Sequence, residues 1–108
     1  MNKSFTEYLQ ERYNFAIITT TCEIDKYLYI NDPMHTSCKE NSCFNEYWKI
    51  SYEICQMLQE TNDGTMSCKE VIQYQFKNFF GKEIDENILN DIQRIIRKNS
   101  IEQISRIT

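Results

Sequence analysis

The sequence predicts an all-α protein, a small bundle of about four helices with a short C-terminal helical extension, and three observations carry that expectation. Apolar residues recur every three or four positions over most of the chain. Helix-start signatures precede these runs: Ser4 with Glu7 and Ser67 with Glu70 have the spacing of capping boxes, and Asp85 opens the last run. Two glycines and one proline leave little material for the repeated tight turns of a small sandwich or barrel.

The first helix follows from Phe5, Leu9, Tyr13, Ala16, Ile17, Thr20, Ile24 and Leu28, which keep close to a 3.6-residue period. Its weak point is Thr19-Thr20-Thr21. Three consecutive β-branched residues lower helix propensity and leave Ile17 to Thr21 open between helix and strand. Asp32-Pro33 ends the element either way, because the residue before proline is pushed out of the helical region. The polar, aperiodic segment from Pro33 to Ser42 reads as the longest connection, the kind of loop in which function often lives.

A second helix is expected from Phe44 to about Glu60, with Phe44, Tyr47, Trp48, Ser51, Ile54, Cys55 and Leu58 on one face. Ile50 and Met57 widen that face, as in a helix contacted on more than one side. Asn62-Asp63-Gly64 forms the next turn. The third helix starts at the Ser67 cap, carries Val71, Ile72, Phe76, Phe79 and Phe80 at helical spacing, and stops at Gly81. In the fourth, Ile84 and Leu89 flank the Asp85 cap at the separation of a hydrophobic staple, and Ile88, Leu89, Ile92, Ile95 and Ile96 form one stripe. Ile101, Ile104 and Ile107 suggest the final helical turn. At 108 residues and 41% hydrophobic, the chain supports one core, hence a single domain over residues 1–108.

Composition narrows the function classes. Twelve Lys and Arg against 16 Asp and Glu give a net charge of -4, which argues against nucleic-acid binding through non-specific phosphate attraction. The start of the chain mixes Lys3, Glu7, Glu11 and Arg12 with a short apolar run, too short for a signal peptide, and no run approaches the roughly 18 residues that span a bilayer. No membrane association and a cytoplasmic location are expected. Five cysteines, an odd number without an export signal, point to reduced thiols rather than a disulfide framework.

Four constellations could carry chemistry. His35, Cys38 and Cys43, with Cys22 as a conceivable fourth ligand, are zinc-type side chains, but no second closely spaced ligand pair accompanies them, so neither metal nor cofactor is expected. A cysteine nucleophile with the sole histidine as base lacks any local signature, and no enzyme activity is expected. The pair of helices over residues 67–99 has the outline of a helix-turn-helix, the alternative reading as a small DNA-binding regulator. Its second helix, however, would present Asp85, Glu86, Asn87 and Asp91 to phosphates, and its Arg94, Arg97 and Lys98 complement the helix dipole instead.

The fourth constellation is Tyr27, Tyr29 and Asp32 with Glu40 and Glu46 around the one long loop. Tyrosines supply contact area at low entropic cost and carboxylates steer a basic partner. The expectation is therefore a small acidic protein-binding module, a stoichiometric inhibitor of a basic protein or nuclease. Immunity proteins that neutralise toxic nucleases and phage-encoded inhibitors of host defence share these gross traits, by analogy of class and not by any motif.

Overall fold

The structure, a computed structural model, describes residues 4–34, 47–61 and 64–99, with the backbone alone at residues 5, 6, 8–10, 12 and 13. Four helices occupy them: α1 Phe5–Asn31, α2 Trp48–Glu60, α3 Cys68–Phe80 and α4 Glu86–Lys98. The described residues contain no strand, and the expected all-α bundle is what forms. Glu40, Glu46, the metal-type residues His35, Cys38 and Cys43, and the isoleucines at 101, 104 and 107 lie outside the described residues. So does the start of the second helix expected at Phe44.

Helix α1 begins where Ser4 Oγ accepts the Glu7 amide at 3.2 Å, and it runs unbroken through the threonine triplet. Tertiary context decides that segment. Thr20 and Thr21 are both buried, their hydroxyls without a hydrogen-bond partner among the described residues, so packing and not local propensity settles the conformation. The helix stops at Asp32, which takes the left-handed conformation (φ 43°, ψ 58°) and returns its amide to the Leu28 carbonyl at 2.7 Å. Aspartate tolerates that conformation better than most residues with a side chain.

Helices α3 and α4 start as their caps dictate. Ser67 accepts the Glu70 amide while the Glu70 carboxylate accepts the Ser67 amide, a complete capping box, and Gly81 ends α3 at φ 77°. A side chain at Gly81 would meet no neighbour, so its constraint is the backbone conformation alone. Asp85 accepts the Ile88 amide at 3.0 Å, and Ile84 and Leu89 are both buried, as a staple requires. Gln73 fastens the connection: its amide nitrogen donates to the Ile84 carbonyl and its oxygen accepts the Ile84 amide, each at 2.9 Å.

Each helix runs antiparallel to the next. Thr21 of α1 faces Cys55 of α2 while Asp32 meets Tyr47, Lys69 of α3 reaches Glu86 while Gln73 reaches Ile84, and Tyr27 of α1 meets Asp91 while Glu23 meets Lys98. The neighbours close a ring, α1 to α2 to α3 to α4 and back to α1. At its centre lie Ile24, Leu28, Ile50, Ile54, Ile72, Phe76, Ile92 and Ile96, all fully buried. Two residues read as apolar-face members turn outward: Trp48 is 43% exposed and Phe79 40%. Conversely, Gln75 is only 6% exposed, although nothing in its residue type announces burial.

Candidate functional site

The structure brings Tyr27, Tyr29 and Asp32 to the C-terminal end of α1, as their spacing requires, and assigns internal partners to two of them. The Tyr27 hydroxyl donates to Asp91 Oδ2 at 2.5 Å, tying α1 to α4. Burial first, and then the hydrogen bond and charge of Asp91, hold the phenol well above its ordinary range. Asp32 Oδ1 accepts the Tyr47 hydroxyl at 2.8 Å, and the same Tyr47 oxygen accepts the Met34 amide at 3.1 Å. Tyr47 is thus a buried clasp across the α1–α2 corner, its ring 5.7 Å from that of Phe80. Tyr29 lies half-buried against the core edge.

Beside this corner stands a surface that the periodicity did not reveal. Trp48 follows Tyr47 directly and is rotated about 100° from it around the helix, so Tyr47 takes the inward slot and the indole points out. It stacks on Tyr52 one turn later, centroids 5.3 Å apart and planes 8° from parallel, and Gln56 Nε2 donates to the Tyr52 hydroxyl at 2.8 Å. The result is a pre-ordered aromatic ledge on the α1 side of α2. The available signal is the adjacency itself, because consecutive helical residues lie about 100° apart and one of the two falls nearer the rim of the apolar face.

On the other shoulder of α2, a groove of about 460 Å³ opens toward α3, lined by Glu53, Met57, Glu60, Tyr74, Gln75, Asn78 and Phe79. Among the described residues its carboxylates make no ion pair or hydrogen bond, unlike Glu23 with Lys98, Glu86 with Lys69 and Asp91 with Arg94. Those pairs also hold Arg94 and Lys98 to the protein's own acids.

The described thiols divide by exposure. Burial pushes the Cys55 thiol up to about 12, the Thr21 hydroxyl opposing weakly and without ordinary hydrogen-bond geometry, so Cys55 is held neutral. Cys68 is buried as well, and Cys22 is exposed on α1. Asp25 has one buried, unpartnered oxygen, and desolvation raises its carboxyl. Among the described residues no three His, Cys, Asp or Glu side chains gather in a way that would hold a metal ion, and no helix is long and apolar enough to cross a membrane.

The chain matches no family model, no curated protein and no solved structure.

Proposed function

We propose that this protein is a stoichiometric protein-binding module, an inhibitor that masks a basic surface of another protein in the manner of small immunity or anti-defence proteins, acting in the cytoplasm without catalysis. The observation that supports this reading is the exposed Trp48–Tyr52 stack beside the Asp32–Tyr47 corner. Tryptophan and tyrosine dominate the energetic centres of protein interfaces, and a stacked, hydrogen-bonded pair loses little freedom when a partner covers it. Glu40 and Glu46 enter the same reading as steering charges on the connection that leads into α2. Tyr27 and Asp32 act by holding the corner in shape, through Asp91 and Tyr47, rather than by offering free hydroxyl or carboxylate groups.

Trp48 is the sole tryptophan, so its emission reports directly on the ledge. With a partner purified from the native host, binding should be one-to-one and should shift Trp48 emission to the blue. Trp48→Ala should mainly speed dissociation, while reversing Glu40 and Glu46 to Lys should slow association and weaken its salt dependence. Unchanged emission and an unchanged rate for Trp48→Ala would place the binding face elsewhere. Tight, salt-sensitive binding to duplex DNA would instead favour the helix-turn-helix alternative.

A further inference from the structure

We propose that the groove between α2 and α3 is a docking site for a lysine- or arginine-bearing, partly apolar segment of a protein. The proposal stands on the groove's own residues and does not need the Trp48–Tyr52 ledge. One wall is a single stripe of α2: Glu53, Met57 and Glu60 at positions i, i+4 and i+7, so the two carboxylates lie about 10 Å apart with a thioether between them. That separation is too wide for one small cation to be shared by both. The facing wall offers Tyr74, 53% exposed, and Phe79, 40% exposed.

An independent observation comes from Gln75 at the floor. Its side chain is almost wholly buried, yet its Nε2 donates only to Met57 Sδ at 3.2 Å, a weak acceptor, and its Oε1 accepts no hydrogen bond from any described residue. Gln73, two residues earlier, has both ends of the same amide satisfied by backbone. The Gln75 oxygen is not sealed from solvent: it opens on the groove that the residue lines, where an incoming donor can reach it. Carboxylates at both ends, aromatic and thioether surface between them, and a free amide oxygen are complementary to a long apolar stem ending in a multiply donating cation. Lysine and arginine side chains have that composition, with the stem on Met57 and Phe79 and the cation near Glu53 or Glu60.

A synthetic helical peptide of leucine and lysine, titrated into the full-length, isotopically labelled protein, tests the assignment, with a leucine–glutamate peptide as the opposite-charge control. Amide shifts should concentrate on Met57, Tyr74, Gln75 and Phe79. The double variant Glu53→Gln/Glu60→Gln should bind about five- to tenfold more weakly with a flatter salt dependence, at an unchanged circular dichroism spectrum. Phe79→Ala should also bind more weakly, and Trp48→Ala should bind as the wild type does. Shifts centred on Trp48 and Tyr52, equal affinity for the double variant, or equal binding of the leucine–glutamate peptide would overturn the proposal. Groove signals that broaden with protein concentration alone, together with a doubled mass, would overturn it in favour of a second copy of this chain as the occupant.

Discussion

Two seams of the same helix, the α3–α4 side and the α2–α3 side of α3, treat identical chemistry in opposite ways. Toward α4, Gln73 clasps both backbone groups of Ile84, Lys69 pairs with Glu86, and the connection needs nothing further. Toward α2, Gln75 is buried with a thioether for its only partner among the described residues, and Glu53 and Glu60, on one wall of the groove, have none among them. Polar groups cost stability when buried without partners, so a fold keeps them either because they bind within the fold or because something outside it completes them. The first seam shows polar groups used for architecture, and so does the Tyr47 clasp at the α1–α2 corner. The second shows polar groups that architecture does not use.

The largest expected effect belongs to the architectural side. Tyr47→Ala should cost about 3–5 kcal/mol, since it empties a core position against Phe80 as well as releasing Asp32 and the Met34 amide. Tyr47→Phe separates the terms and should cost about 1–2 kcal/mol, the share of the hydroxyl. Denaturant midpoints measure both, and a neutral Tyr47→Phe would remove the corner from the list of working polar contacts. Ser67→Ala should cost about 1 kcal/mol by stranding the Glu70 amide, read the same way.

Alkaline titration sharpens the contrast without mutation. The folded protein holds the Tyr27 proton more tightly than the unfolded chain does, because burial and then Asp91 disfavour the phenolate. That stabilisation is complete below the ordinary tyrosine value of about 10 and is lost as pH climbs through the raised one. Cys55, pushed up to about 12 by burial, behaves likewise from an ordinary value of about 8.5. Denaturant midpoints should therefore fall as pH rises above about 8.5, and Cys55→Ala should flatten the first part of that decline. A midpoint level from pH 8 to 11 would show that neither group is buried in its neutral form.

The smallest stability effect should come from the groove. Glu53→Gln/Glu60→Gln should leave the midpoint within about 0.5 kcal/mol of wild type, because neither carboxylate has a partner to lose. A clear loss would mean that these charges serve the fold after all.

The caps made much of the fold readable: Ser67 with Glu70, Asp85 between Ile84 and Leu89, and Gly81 are local signals whose geometry depends on neighbours three or four residues away. The threonine triplet was not readable in the same way. Propensity alone left it between helix and strand, and only burial against α2 settles it as helix. Tyr27 and Asp32 were legible as a pair at one helix end, but their partners Asp91 and Tyr47 are distant in sequence and set by packing. Periodicity puts Trp48 on the apolar face because it assigns faces only to within about one residue, and in the fold Tyr47 takes the inward slot. The groove leaves only a faint trace, two glutamates seven residues apart on a helix, since the placement of Gln75 in the groove is a property of three dimensions.

The most direct test of this division is the pair Gln73→Leu and Gln75→Leu, compared by denaturant midpoint at neutral pH. Gln73→Leu should fall by about 1–3 kcal/mol, because it strands the Ile84 amide and carbonyl. Gln75→Leu should hold or rise, because the amide's one described bond is to the Met57 thioether, a weak acceptor, and its oxygen is open to the groove. Equal losses for the two variants, or a larger loss for Gln75→Leu, would contradict the separation of structural from unclaimed polar groups.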